Sequence, residues 1–231
     1  MADTETRLDD VRACVFDAYG TLFDVTSAAR QRRDALGDDA DHLAEVWRSK
    51  QLQYTWLRAL MGRHVDFWQV TGDALDYAMA SLRIDNNALR QGLMELYLSL
   101  DAYPEVAGVL ERLQESGMKT AILSNGSPRM LEAAAANAGI SASLDALLSI
   151  EEVGVYKPHP SVYQLACDRL GLPAARMSFQ SSNAWDAAAA AAFGYQVVWV
   201  NRFAQPRENI PGEPAVEVRT LDPLPDIVGA G

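Results

Sequence analysis

Residues 11–24 read VRACVFDAYGTLFD. The first six residues are apolar except for Arg12, as suits a short strand covered on both faces. The run ends in a carboxylate, Asp17, and a turn-forming stretch containing Tyr19 and Thr21 follows. An acid directly after a buried strand is either a turn residue or a reactive group held at a strand end. The rest of the chain bears on which it is.

Four more runs lack polar alternation: KTAIL (119–123), ALLSI (146–150), MSFQS (177–181) and QVVWV (196–200). Between and before them, residues 105–116, 129–138, 160–170 and 184–193 are helix-like and rich in Ala and Leu. This alternation predicts an α/β fold, a parallel sheet with helices on both faces. Such sheets gather reactive groups at the carboxyl ends of their strands. Ser124, Asn125 and Gly126 follow the second strand, and Lys157 follows the third, in GVYKPHP. Ser181, Ser182 and Asn183 follow the fourth, with Asp186 one helical turn on. Each has an ordinary reading alone: SNGS starts a helix, SSNAWD caps one, and a loop lysine forms a surface pair worth about 0–1 kcal/mol. Their convergence on one sheet edge favours a site.

One segment breaks the alternation. From Val25 to Leu100 there is no convincing strand. Leu43, Val46, Trp47, Tyr54, Leu57, Leu60 and Met61 follow three- and four-residue spacing, as do Phe67 to Leu82 and Leu89 to Leu100. This predicts a helical bundle at residues 25–100, inserted into a core of residues 1–24 and 101–231, either as a structural appendage or, since both insertion points flank the strand-end residues, as a cap over the strand ends. Residues 205–231, rich in Pro and Gly, are expected to wrap the surface as a tail.

The chain has 231 residues, 49% of them hydrophobic, enough for one substantial core or a core with an insertion. Its net charge of -11 disfavours nucleic acid and anionic lipid as partners, although a local pocket can still hold a small anion. Cys14 and Cys167 have neither metal-ligand nor CxxC spacing. The N-terminal stretch MADTETRLDD lacks an apolar signal region, and no apolar run approaches the roughly 20 residues of a membrane span. The expectation is a soluble, cytoplasmic protein.

FDAYGTLFD, ILSNGSP, VYKPHPSVY and SSNAWD, in this order, resemble the motifs of the haloacid dehalogenase superfamily, and more narrowly of its L-2-haloacid dehalogenases. WRSKQLQYTWLRALM, in the inserted helices, is similar to the same subfamily, and the likeness spans residues 11 to 203. It implies a Rossmann-like core with a helical cap, a small 2-haloacid substrate, no cofactor or metal, and often a homodimer formed through the helical region. It also implies that Asp17 is the nucleophile and that Arg48 receives the departing halide, with Asn125 assisting.

The residue chemistry fits those roles. A carboxylate becomes an effective nucleophile in a dry pocket when a cation such as Lys157 keeps it ionised. Thr21 and Ser124 offer hydroxyls to orient Asp17 or the substrate carboxylate, and N–H groups at a helix start bind anions. A guanidinium stabilises an anion without giving up a proton. Tyr19, Leu52, Phe67 and Trp185 are candidate apolar walls. Tyr163 is placed to join the lysine network, and Ser181, Asn183 and Asp186 to hold Lys157 and a water.

Phosphatases of this superfamily carry Asp-x-Asp, whose second acid protonates the leaving alcohol. Here that position is Tyr19, with a reference pKa of about 10. The Mg²⁺ shell of such enzymes needs several carboxylates, whereas SSNAWD offers one. A halide needs neither the proton nor the metal. The chemistry expected is hydrolysis of L-2-haloalkanoates to D-2-hydroxy acids through an ester on Asp17. Two alternatives are a hydrolase acting on another carbon electrophile, such as azetidine-2-carboxylate, and a non-catalytic binding or regulatory protein on the same fold.

Overall fold

The computed structural model describes residues 7–231. The first strand, β1 (Ala13–Phe16), leads into five inserted helices: α1 (Ser27–Gln31), α2 (Arg33–Leu36), α3 (Ala40–Met61), α4 (Phe67–Ser81) and α5 (Asn87–Tyr97). The chain then alternates through α6 (Val106–Glu115), β2 (Lys119–Ser124), α7 (Pro128–Asn137), β3 (Ala146–Ser149), α8 (Pro160–Leu170), β4 (Met177–Ser181), α9 (Ala184–Phe193) and β5 (Gln196–Val200). It closes with β6 (Val216–Val218) and α10 (Leu224–Ile227). All six strands are parallel in one sheet, in the order β3-β2-β1-β4-β5-β6. This is the predicted doubly covered α/β core, with a helical insertion after its first strand.

β1 lies at the centre of the sheet, and every one of its side chains is fully buried. Its register pairs Phe16 with Gln180 on β4 and with Ile122 on β2. The residues one step further, Asp17, Ser181 and Leu123, therefore emerge side by side. The chain reverses at once after β1: the carbonyl of Ala18 accepts the N–H groups of Thr21, Leu22 and Phe23. Gly20, at φ 90°, supplies the left-handed step in that turn.

The insertion leaves and re-enters the core through paired backbone. Phe23 bridges Ala102, the Asp24 N–H donates to the Asp101 carbonyl at 2.8 Å, and the Tyr103 N–H donates to the Leu22 carbonyl at 3.0 Å. Helices α4 and α5 start on side-chain caps, Asp66 to the Gln69 N–H and Asn86 to the Leu89 N–H. Contacts from the α3–α4 connection and from α3 itself fasten the insertion over the strand ends. The Tyr156 hydroxyl donates to the Val65 carbonyl at 2.5 Å, His64 Nε2 lies 3.0 Å from Glu151, and Trp56 packs edge-on against Trp185.

Three expectations need correction. Residues 205–231 are more than a surface tail: β6 adds a strand beside β5, and Leu221 and Leu224 are fully buried. A three-residue strand among Gly and Pro is too short to show periodicity, and its tertiary role is to cover the edge of β5. Strand ends also shift: β1 begins at Ala13, and β3 ends at Ser149, with Ile150 opening a 3₁₀ turn. Finally, the apolar face read for α3 does not persist along the helix. Its buried stripe runs Ala40, Leu43, Trp47, Gln51 and Thr55, while Leu57, Leu60 and Met61 are exposed, Leu60 by 85%. Two polar residues occupy the inward positions because they have partners there: Thr55 donates to the Leu52 carbonyl at 2.7 Å, and Gln51 meets Thr71 and Tyr97.

Candidate active site

Asp17 sits just past the end of β1, and its N–H donates to the Gln180 carbonyl at 2.9 Å, extending the β1–β4 ladder by one residue. Its carboxylate, almost wholly buried, has two unequal oxygens. Oδ2 accepts from Asn183 Nδ2 at 2.7 Å, Thr21 Oγ1 at 3.2 Å and Ser181 Oγ at 3.3 Å. Oδ1 has one partner, Lys157 Nζ, at 3.2 Å. The turn at Gly20 brings Thr21 back onto Asp17, and the β4 register brings Ser181 alongside.

Lys157 is only 1% exposed, so the surface-pair reading of this residue does not hold. Its ammonium lies 2.8 Å from Asp186 Oδ2 as well as 3.2 Å from Asp17, and 5.0 Å from the ring centre of Phe179. Burial opposes its charge, but attraction to Asp17 and Asp186 outweighs burial, and its pKa is raised. Asp186 is fully buried and takes its second hydrogen bond from the Tyr163 hydroxyl at 2.7 Å. Burial lifts the Asp186 carboxyl above the usual carboxylate range, with the Lys157 charge pulling against it. Two carboxylates thus share one ammonium in a dry site, an electrostatically strained set that is uncommon in ordinary packing.

Asn183 links this cluster to the helical insertion. Its Nδ2 also points at the Tyr19 carbonyl, at 3.3 Å, and its Oδ1 accepts from Arg48 Nη2 at 3.3 Å. Although it is the N-cap of α9, its side chain makes no cap hydrogen bond, being spent on Asp17 instead. Arg48, on α3, reaches down to donate to the Tyr19 carbonyl at 3.2 Å. The insertion is therefore already closed enough for Arg48 to touch the strand-end loops.

Ser124 and Asn125 lie at the neighbouring strand end. Ser124 Oγ accepts the Gly126 N–H at 3.1 Å, and is not among the four groups that hydrogen-bond the Asp17 carboxylate. Asn125 Oδ1 accepts the Lys157 N–H at 3.0 Å, which leaves its amide N–H groups to donate elsewhere. Ser149, which no motif signals, donates to the Gly126 carbonyl at 2.6 Å and fixes this turn.

The four apolar candidates separate into two groups. Tyr19 and Phe67 are buried with Tyr97 and Phe23 in one aromatic cluster, with the Tyr19 ring 5.5 Å from Tyr97 and 5.6 Å from Phe67. Leu52 and Trp185, with Arg48 and Asn183, line a cleft of about 510 Å³ between the insertion and the strand ends. Among the described residues the Tyr19 hydroxyl has no hydrogen-bond partner, and burial pushes its pKa well above the ordinary value. It is a poorer acid than a free tyrosine. Ser182, between two candidate residues, uses its backbone N–H to donate to Thr21 Oγ1 at 2.8 Å.

Gln51, Thr71 and Tyr97 also reach the site through Arg48 or Tyr19, and sequence reasoning assigned them nothing. Gln51 alone left a readable signal, standing one helical turn after Arg48. Among the described residues, no group of three or more His, Cys, Asp or Glu side chains forms a metal-binding cluster, and no helix is long and apolar enough to cross a membrane.

A family model described as haloacid dehalogenase-like hydrolase matches residues 11–194. The chain is 43% identical over 222 residues to (S)-2-haloacid dehalogenase 1 of Pseudomonas sp. (strain CBS-3), covering 96% of this chain and 98% of that one. It is 46% identical over 202 residues to (S)-2-haloacid dehalogenase 4A of Burkholderia cepacia, covering 87% of each. The structure of L-2-haloacid dehalogenase from Xanthobacter autotrophicus with chloropropionic acid covalently bound superposes with a TM-score of 0.88 at 39% identity, over 94% of this chain and 98% of that chain. With likeness of this extent in both sequence and fold, the chain belongs to the haloacid dehalogenase-like hydrolases, among the (S)-2-haloacid dehalogenases.

Proposed function

We propose that this protein hydrolyses L-2-haloalkanoic acids, such as 2-chloropropionate, to D-2-hydroxy acids with inversion at C2. The observation that carries the reading is the asymmetry of the Asp17 carboxylate. Oδ1, with a single partner, is the freer nucleophile; Oδ2 is held by three donors. Oδ1 attacks C2 from the side opposite the halogen, the C–O bond forms, and the carbon–halogen bond breaks with its electron pair leaving on the halide. Arg48 and Asn125 receive that anion, while the Ser124 hydroxyl and the Asn125 backbone N–H hold the substrate carboxylate. Leu52, Trp185, Phe67 and Tyr19 border the alkyl group.

Water then attacks Cγ of Asp17. Negative charge develops on Oδ2, where Asn183, Thr21 and Ser181 already donate, so the same three groups act as a preorganised oxyanion site. Collapse breaks the Cγ–Oδ1 bond: the departing oxygen takes one proton of the attacking water and leaves as the hydroxy acid, the second proton passes to solvent, and the oxygen from water remains in Asp17. Lys157, held by Asp186 and through it by Tyr163, holds Oδ1 of Asp17 in place for the next cycle. A ring-opened amine would need a proton as it leaves, and the raised pKa of Tyr19 makes that residue a poor source; a halide needs none.

The relative with chloropropionic acid covalently bound supports an ester intermediate. Single-turnover hydrolysis in H₂¹⁸O tests it. The first product is expected to carry unlabelled oxygen, with label appearing in Asp17; label entering the first product directly would exclude the ester. Residues 25–100 serve as the cap of this site. The exposed Leu57, Leu60 and Met61 at the end of α3 offer an apolar face for a second copy. Light scattering of wild type beside Leu60→Glu decides that point, with a dimer converted to monomer as the expected result.

A further inference from the structure

Arg48 has five N–H groups, and three are committed to the Gln51 side chain, the Tyr19 carbonyl and Asn183. The shortest is Nη1 to Gln51 Oε1, at 2.7 Å. A glutamine amide presents oxygen on one side and N–H on the other, so it braces a guanidinium in only one of two orientations. Gln51 is 1% exposed, and a chain of donors sets its orientation. The Thr71 hydroxyl donates its only hydrogen to the Phe67 carbonyl, at 2.7 Å. Thr71 Oγ1 can then only accept from its other neighbour, and Gln51 Nε2 lies 2.8 Å away. With its nitrogen turned to Thr71, Gln51 must present its oxygen to Arg48. The Tyr97 hydroxyl, 3.0 Å from Nε2 and 3.1 Å from Oε1, tolerates either orientation and so does not decide it. Trp47 Nε1 donates to the Thr71 carbonyl at 2.9 Å, locking α3 against α4 at the level of this relay.

We propose that Gln51 and Thr71 are positioning residues: the relay from the Phe67 carbonyl through Thr71 and Gln51 aims the Arg48 guanidinium and thereby sets the rate of halide departure. The inference rests on the reading of Arg48 as the halide acceptor. It also explains why α3 buries Gln51 in its inward stripe. A preorganised cation is worth most where the leaving group needs most help, so chloride departure should suffer more than bromide departure when the brace is lost.

The test is the burst rate of halide release, in single turnover at saturating substrate, for L-2-chloropropionate and L-2-bromopropionate. Gln51→Met keeps the length of the side chain and removes the acceptor. It is expected to slow chloride release by about 10- to 100-fold and bromide release several-fold less. Thr71→Val, nearly isosteric, should move the chloride-to-bromide ratio in the same direction, and Thr71→Ser, which keeps the hydroxyl, should restore it. If Thr71→Ser behaves like Thr71→Val, or if Gln51→Met slows both halides equally, the relay is overturned. Arg48→Gln separates the two readings. A wild-type ratio in Arg48→Gln removes the halide role of Arg48 itself. A changed ratio there, with unchanged ratios in Gln51→Met and Thr71→Val, leaves that role standing and removes only the relay.

Discussion

Replacing Lys157 by Met takes away the one cation that two buried carboxylates share. The ammonium stands 3.2 Å from Asp17 and 2.8 Å from Asp186. At an effective dielectric constant of about 20, these attractions are worth about 5 and about 6 kcal/mol. Much of this is offset, because the variant no longer desolvates an ammonium and one carboxyl can take up a proton. Breaking a buried pair by removing one partner costs about 3–5 kcal/mol net, and for a chain of this size that lowers Tm by about 6–20 °C. The pH dependence is the sharper signature. Burial already raises the folded-state pKa of Asp186 above its unfolded value, and losing the opposing Lys157 charge raises it further. A group with a raised folded pKa contributes stability below its unfolded pKa and loses it as pH rises through the folded one. The deficit of Lys157→Met against wild type should therefore be largest near pH 8 and shrink toward pH 5. Urea unfolding at both pH values measures it. A deficit that is the same at both, or none at pH 8, would refute the picture of one ammonium neutralising two buried acids. Halide release by the variant should fall by at least about 10²-fold, since Oδ1 of Asp17 loses the one group that holds it.

Asp17→Asn is expected to abolish halide release from L-2-chloropropionate, in an ion-electrode assay run with EDTA present, while the far-ultraviolet circular dichroism stays that of wild type. Tyr19→Phe removes a buried hydroxyl that has no partner and should stabilise the protein by about 1 kcal/mol, or about 2–4 °C in Tm. The raised pKa of Tyr19 means that wild type loses stability as pH climbs above 10, so the advantage of Tyr19→Phe should widen in alkaline melts. Gly212→Ala places a Cβ 1.9 Å from the Ala188 carbonyl oxygen at a φ of +97°. The backbone of α9 cannot yield, and a loss of about 2 kcal/mol or more, with early proteolytic nicking in residues 205–215, is the expected result.

The α/β class of the core and the candidate residues of the site were legible in the sequence. Short apolar runs without alternation, set between helical patterns, read as strands covered on both faces, and the rule that reactive groups follow strand ends then gathers Asp17, Ser124, Lys157, Ser181, Asn183 and Asp186 from four separate stretches. The substitution of Tyr19 for an acid was also legible, since a missing charge is visible in the residue letters. Other features were decided only in three dimensions. Lys157 read alone is a loop lysine; its burial between two carboxylates depends on β1, β4 and the connection after β3 meeting at one point. The inequality of the two Asp17 oxygens comes from the Gly20 turn and the β1–β4 register, and neither has a sequence signature. β6 escaped because three residues carry no period. The inward stripe of α3 was misread beyond Trp47 because hydrophobic periodicity cannot anticipate a buried glutamine whose partners Thr71 and Tyr97 lie on other helices. Local pattern follows from backbone geometry and apolar burial, which neighbouring residues express. A polar group's partner is fixed by chain segments far away in sequence, and only the folded arrangement brings them within hydrogen-bonding distance.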